Sequence, residues 1–515
     1  MAYWRSLPAE IRSIILEMVA EDYNFNSAPY AGAGYASVCR EWQPVFEQRN
    51  FRRLVLDQER IPGLDQFMGI RQLERRDYLE HLSLRVKLDE YDCTVCQSQE
   101  GDETMRNNSN IFSRAIWNLL IILSKWTRIS RGRREKRSIL ELGAYSPSDS
   151  KHTFRDFHLE HGYPYQERED LETHFEAYRL RAARLGLDSL NDPYHGWVDG
   201  RRDVVSLESK LRIMGTLTIN LDLPEFSTFL QTFPKVEIIT GLLIPRQFYR
   251  KIAVSSLRKL LRETFTCLRW IRYEQWHHVD PQQQLRLEKD YKRLISSDLP
   301  STLRDLSIFE DFNKHLHPDR LARSTNRALA KALSKTSRSL EHLSAAFLVD
   351  AKDFLADFWP TKQQDPNIVP WENLQTLALT SCLLHPEVGR RKISRLLMAA
   401  GLAAAFMPKL ETLEIWNGGE GHACLFRYSR NAGRPQITWS SNWGRRERLL
   451  HDDVVHCWEA LLRQGRHPSS DLMTAVTRLP VSRKKVKTYA ATLRYLKLRH
   501  NIVDVISDYQ IHWEE

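Results

Sequence analysis

A hydrophobic motif that recurs about every 35 residues constrains the fold of this chain more than any other feature. Its form is L-x-x-L-x-L, with aliphatic or aromatic substitutes, and between residues 268 and 410 successive copies start 35, 37, 34 and 36 residues apart. Alternating apolar residues of this kind predict a short strand with one buried face. The copies are Phe51-Leu54-Leu56, Leu79-Leu82-Leu84, Leu268-Ile271-Tyr273, Leu303-Leu306-Ile308, Leu340-Leu343-Ala345, Leu374-Leu377-Leu379, Leu410-Leu413-Ile415 and Leu493-Leu496-Leu498.

The stretches between these copies carry apolar residues at helical spacing. One contains Tyr291, Leu294 and Ile295, and another contains Ile393 and Leu396. A strand-plus-helix unit leaves apolar surface that its neighbours must cover, so such units stack. The pattern is similar to a leucine-rich repeat, although the period exceeds the usual range of roughly 20–29 residues. We expect an α/β fold with a divergent leucine-rich-repeat-like solenoid; an unrelated α/β body with coincidental leucines is the alternative.

Two regions are expected to interrupt the array, at about 89–215 and 416–490. The second contains CLFRYSRNAGRPQITW, which predicts a β-hairpin because two alternating stretches flank a turn with Gly433. The final residues, ISDYQIHW, are expected to form a capping strand.

The N-terminal residues form two short amphipathic segments. LPAEIRSIILEMV, at residues 7–19, places Pro8 in a first helical turn and aliphatic residues on one broad face. YASVCREWQPVFEQRNF follows at residues 35–51. Two short helices cannot enclose a core, so another element or another protein should cover part of this surface. A helical hairpin packed on its own body is the alternative.

These residues resemble the F-box, through the Leu-Pro start, the paired aliphatics and the VCREW block, over residues 4 to about 56. The resemblance implies a three-helix module that binds a Skp-type adaptor and through it a cullin scaffold. It divides the chain into an F-box at residues 1–56 and a repeat body at residues 57–515. The linker at residues 21–34 is longer than usual, as in some fungal members. Matching positions place the adaptor surface at Leu7, Pro8, Ile11, Ile14, Ile15 and Leu16, with Val38 and Trp42 completing or supporting it.

The charge and the cysteine content restrict the possible partners and the cellular compartment. The net charge is +10, but the basic clusters, at 131–137 and 483–487, are short, so a nucleic-acid partner is the less favoured alternative. The seven cysteines are odd in number and the N-terminus lacks a signal-peptide pattern, so we expect a protein of the cytoplasm or nucleus with reduced thiols. The longest apolar runs are too short to span a bilayer.

No catalytic motif, metal site or cofactor site is predicted. Cys93-x-x-Cys96 is a single pair without a second pair or a close histidine pair, so ordinary cysteines are expected. The sequence therefore favours a non-catalytic, substrate-recognition subunit of a Skp–cullin–F-box ubiquitin ligase. An adaptor-binding protein outside a ligase is the second interpretation. Target contacts are expected on loops after the strands, at Trp276, His277, Phe312, Trp416 and Asn417.

Overall fold

The structure is a computed structural model. It describes residues 4, 6–22, 31–69, 73–126, 138–157, 159, 186, 189–202, 205–226, 232–313, 316–317, 326–361, 366–431, 434–443, 450–464 and 472–514. The basic cluster at 131–137 and the turn residue Gly433 lie outside these ranges.

The sequence begins with three helices and continues into a body organised around one large sheet. The N-terminal helices are Ala9–Asp22, Ala31–Ala36 and Trp42–Asn50. The strands are β1 (Arg53–Leu56), β2 (His81–Lys87), β3 (Ser138–Tyr145), β4 (Trp197–Val198), β5 (Arg201–Arg202), β6 (Thr216–Leu217), β7 (Ile239–Ile244), β8 (Lys251–Ile252), β9 (Trp270–Trp276), β10 (Asp305–Asp311), β11 (His342–Asp350), β12 (Thr376–Thr380), β13 (Thr412–Gly419), β14 (His422–Asn431), β15 (Arg434–Ser441) and β16 (Met473–Arg478).

Twelve strands form the large sheet in the order β1-β2-β3-β7-β9-β10-β11-β12-β13-β14-β15-β16, which is their order along the chain. Neighbouring strands are parallel except at β13-β14 and β14-β15. The short pairs β4-β5 and β6-β8 lie outside this sheet. The predicted helices with one extended, mostly parallel sheet are confirmed. Seven copies of the recurring motif coincide with β1, β2 and β9 to β13, and the predicted hairpin is β14-β15.

Helices connect the strands and share one core with the sheet. Leu306 and Ile308 of β10 belong to the same buried cluster as Leu294, Leu329 and Leu333 of the flanking helices. The helices of the body are Ile61–Met68, Leu73–Tyr78, Asp102–Ser124, Leu207–Ile213, Val254–Glu263, Pro281–Ser297, Arg327–Thr336, Ala351–Phe354, Arg390–Ala404, Asp452–Gln464, Ala490–Leu493, Arg499–Ile502 and Val505–Trp513.

The last part of the chain packs against the opposite face of the sheet. Leu493, Leu496 and Leu498 form a second buried cluster with Phe309 of β10 and Trp416 of β13. The prediction of a strand at Leu493-Leu496-Leu498 is wrong, because these residues lie in a short helix and the turn after it. The predicted capping strand at ISDYQIHW is also wrong.

That final segment is the helix Val505–Trp513, which begins where the Asp504 side chain accepts a hydrogen bond from Ile506 N. An Asx-type cap of this kind favours a helix start over an extended chain. Ile511 of this helix is buried in the same cluster as Leu493 and Trp416.

The sheet also runs through both regions that were expected to interrupt it. β3 lies within 89–215, and β14, β15 and β16 lie within 416–490. Strands β3 and β7 were not among the identified copies, although Ile239, Leu242 and Ile244 of β7 have the spacing of the motif. A Cβ at Gly241 would lie 2.2 Å from the Trp270 ring, and one at Gly143 would lie 2.1 Å from the Phe248 ring, so aromatic rings fill the places of side chains there.

Candidate functional site

The three N-terminal helices have a small interior of their own. Leu16, Ala20 and Phe46 are buried in it. Trp42 covers one side, with its ring 5.4 Å from that of Phe46 and 5.9 Å from that of Tyr35, measured between centroids. Three buried side chains are a small interior for three helices, so much of the apolar surface of the helices remains outside it.

The outer surface of these helices exposes large aliphatic side chains. Ile11, Ile14 and Met18 follow one another at helical spacing with exposed fractions of 43%, 51% and 61%, and Val38 is 58% exposed. Single exposed aliphatic residues are common on folded proteins, but Ile11, Ile14 and Met18 lie on one face of one helix, and several exposed aliphatic side chains on one face mark an interaction surface. We call these four residues the N-terminal apolar face.

The residues predicted for adaptor binding are divided between the outer surface of the three N-terminal helices and their interior. Pro8, Ile11, Ile14 and Val38 are exposed, whereas Leu7, Ile15 and Trp42 are half-buried. Leu16 is buried, so it supports the helices from within.

An ion pair fixes the module to the body. The Arg75 guanidinium lies 2.5 Å from the Glu47 carboxylate and its charge centre lies 4.9 Å from the Phe51 ring centroid. The hydrogen bond from Arg75 lowers the pKa of Glu47. The helix Trp42–Asn50 also leads directly into β1, so the orientation of the N-terminal apolar face relative to the sheet is defined.

Two of the predicted target contacts are not at the surface. Trp276 is buried, stacked on Tyr249 at 4.9 Å between ring centroids. Trp416 is buried beneath the C-terminal segment, with its ring 4.9 Å from Phe347. Neither can contact a target directly in this structure, because the chain's own residues cover them. Sequence spacing could not reveal this, since the covering segment is distant along the chain.

The other three predicted target contacts are half-buried. His277 Nδ1 lies 3.4 Å from a Glu310 carboxylate oxygen. Phe312 packs 5.1 Å from the Phe347 ring centroid. Asn417 Nδ2 donates to the Leu384 carbonyl at 3.2 Å. His317 Nε2 donates to the His277 carbonyl at 2.9 Å.

Lys251 is a buried amine that the sequence did not single out. It lies on β8, and within the described residues its Nζ has no hydrogen-bond partner. Burial lowers the pKa of Lys251 from 10.5 to about 7, although the charge of Glu310 opposes this in part. An unpaired ammonium is costly in such a place, so the neutral amine is favoured.

The pH dependence of the free energy of unfolding tests whether burial lowers the pKa of Lys251. Between pH 7 and 10.5 the unfolded chain keeps the Lys251 proton while the folded chain loses it, so the free energy of unfolding rises with pH. From pH 7 to 9 this gain amounts to roughly 2 kcal/mol. We expect Lys251→Met to abolish the gain and the exposed-site control Lys289→Met to keep it, in chemical denaturation at both pH values. An equal rise in wild type and Lys251→Met would contradict the assignment.

A cluster of sulfur and nitrogen atoms is the main feature that sequence reasoning missed. Cys93 Sγ lies 3.5 Å from His152 Nδ1 and 3.7 Å from His195 Nε2, and these two nitrogens are 3.3 Å apart. The expectation of ordinary cysteines did not anticipate this arrangement. Cys93-x-x-Cys96 was the available signal, but the histidines are 59 and 102 residues further along the chain.

Of the two basic clusters, the one at residues 483–487 is described. Arg483, Lys484 and Lys485 form one exposed turn of 3₁₀ helix, and Lys487 is exposed nearby. A single basic turn is a small patch for nucleic-acid binding. No helix among the described residues is both long and apolar enough to cross a membrane.

The comparisons with known proteins concern the C-terminal half. No curated protein matches the chain. Residues 298–504 match a family described as a family of unknown function (DUF6546). The matched residues include β10 to β16 and most of the segment that packs over the opposite face of the sheet. The chain is thus similar, over these residues, to a family whose description gives no activity.

Proposed function

We propose that this protein is the substrate-recognition subunit of a Skp–cullin–F-box ubiquitin ligase. Its three N-terminal helices would be the F-box, and the body would hold the target protein. The observation that carries the proposal is the N-terminal apolar face, where Ile11, Ile14, Met18 and Val38 are exposed beside a small buried interior.

The energetics of this face suit a protein partner. Burying a large aliphatic side chain completely contributes about 1.5–3 kcal/mol, and these four are each about half-exposed. Covering them would therefore supply several kcal/mol from a small area. Three of the four, Ile11, Ile14 and Val38, are among the residues that the resemblance to the F-box places at the adaptor surface, which is why a Skp-type adaptor is the proposed partner.

The body supports the second half of the proposal. Its strands follow one another in chain order, with connecting helices sharing the core, as in a divergent leucine-rich-repeat-like solenoid. The C-terminal segment covers part of the opposite face of the sheet, including Trp416. Target contacts would therefore come from the ends of the strands and the loops after them, where His277, Phe312 and Asn417 are half-buried. Held there, a target would meet the conjugating enzyme by proximity.

The direct test is calorimetric titration of the purified full chain with a purified Skp-type adaptor. We expect a one-to-one complex with a negative heat-capacity change, which is the signature of apolar burial. Absence of binding would reject the proposal. Capture of the tagged chain from cell extract then separates the two interpretations of adaptor binding, because a ligase subunit retains the cullin and a structural partner does not.

A further inference from the structure

The three ligand-type atoms of Cys93, His152 and His195 are spaced as a metal ion requires. Zn²⁺ binds thiolate sulfur at about 2.3 Å and imidazole nitrogen at about 2.0–2.1 Å with tetrahedral angles. Such a site separates sulfur from nitrogen by about 3.5 Å and nitrogen from nitrogen by about 3.4 Å. The observed separations are 3.5, 3.7 and 3.3 Å.

Hydrogen bonds orient both imidazole rings toward the cluster. His195 Nδ1 donates to the Asp192 carboxylate at 2.7 Å, which leaves the lone pair of Nε2 directed at Cys93. His152 Nε2 donates to the Tyr91 carbonyl at 3.3 Å, which leaves the lone pair of Nδ1 free for a ligand. A carboxylate or carbonyl behind each ligating histidine is the usual outer shell of a zinc site.

Both imidazole rings of the cluster are buried among the chain's own residues. Asp192 is itself held in place by Arg155, whose guanidinium lies 2.6 Å from the same carboxylate. With these tautomers, His152 Nδ1 and His195 Nε2 direct two lone pairs at each other across 3.3 Å. A bound cation would relieve this repulsion.

Cys96 supplies the natural fourth ligand. It is buried and its thiol donates to the carbonyl of Cys93 at 3.4 Å, while its sulfur lies outside the group of ligand atoms that Cys93, His152 and His195 form. To act as a ligand, its side chain would have to turn from the Cys93 carbonyl toward the ion. A C-x₂-C pair that contributes two ligands, with two histidines from elsewhere, is a standard structural zinc set.

We infer that Cys93, Cys96, His152 and His195 form a structural zinc site. Sulfur and imidazole ligands in this number select Zn²⁺ over the harder Mg²⁺ and Ca²⁺. Each thiol releases its proton to solvent as it binds. The site would tie together the loop after β2, the segment after β3 and the turn before β4, which are separated by 59 and 43 residues. Neither the F-box nor the repeat body requires it.

The metal content of the purified full chain tests the inference. We expect about one zinc per chain by mass spectrometry, and loss of most of it in Cys93→Ser and His195→Ala. Asp192→Asn should keep the ligands but weaken zinc affinity roughly 10- to 100-fold, measured by competition with a chelator. Cys382→Ser, at an exposed cysteine elsewhere, is the matched control and should retain full zinc content.

Wild-type chain that has been stripped with a chelator gives a readout that does not depend on the variants folding. Addition of Co²⁺ should produce the visible absorption of tetrahedral cobalt with thiolate charge-transfer bands, and Cys96→Ser should lower the charge-transfer intensity by about half, since one thiolate of two is lost. Zinc-free chain that takes up no Co²⁺ would overturn the site. Unchanged charge-transfer intensity in Cys96→Ser would overturn the assignment of the fourth ligand.

Discussion

Replacing Ile11 and Ile14 together with glutamate is expected to abolish adaptor binding while leaving the chain folded. Both side chains are about half-exposed, so the free protein loses little packing. In the proposed complex each glutamate would place a charge in an apolar contact. Loss of a central interface residue costs at least about 2 kcal/mol, so two such losses predict an affinity roughly a thousandfold lower.

The matched control is Leu285→Glu, at an exposed leucine on the helix Pro281–Ser297 of the body. It adds a charge at a comparably exposed site far from the N-terminal helices and should bind the adaptor as the wild type does. Calorimetry measures the affinities, and the thermal unfolding of each free variant verifies its fold. If the double variant binds as tightly as Leu285→Glu, the N-terminal apolar face is not the docking surface.

The second large effect is expected at Glu414, whose side chain is completely buried on β13. One carboxylate oxygen lies 2.6 Å from Arg427 and accepts from Lys497 N at 2.9 Å, and the other accepts from Leu498 N at 3.0 Å. It therefore connects the sheet to the C-terminal segment that covers it. Glu414→Ala leaves Arg427 and two backbone N–H groups without this partner, and we expect it to lower the free energy of unfolding by about 3–5 kcal/mol.

Glu411→Ala is the control, because Glu411 is an exposed glutamate just before the same strand. It should change the free energy of unfolding by less than about 0.5 kcal/mol. Urea denaturation of both variants measures the difference. Equal stabilities would mean that the contact between β13 and the C-terminal segment contributes little to the fold.

The sequence predicted the features that repeat or lie close together along the chain. Strands β9 to β13 follow from alternating apolar residues at a regular spacing, and the helix Arg390–Ala404 follows from Ile393 and Leu396 at helical spacing. The β14-β15 hairpin is equally local. Strand β7 was missed although Ile239, Leu242 and Ile244 have the same spacing, and the close approach of the Trp270 ring to Gly241 is a contact that no local pattern reports.

The features that sequence reasoning missed depend on contacts between distant residues. The burial of Trp416 requires Tyr489, and the polar contacts of Glu414 require Lys497, both more than 70 residues further on. The cluster around Cys93 needs His195, which is 102 residues away. Residue type alone places a tryptophan equally well in a core or an interface, so only the fold separates these roles.

Hydrogen–deuterium exchange of the full chain, with and without the Skp-type adaptor, tests the central proposal most directly. We expect slower exchange in the helices Ala9–Asp22 and Trp42–Asn50 on adding the adaptor, with β9 to β13 unchanged. Protection of the sheet or its loops with no change in the N-terminal helices would contradict it.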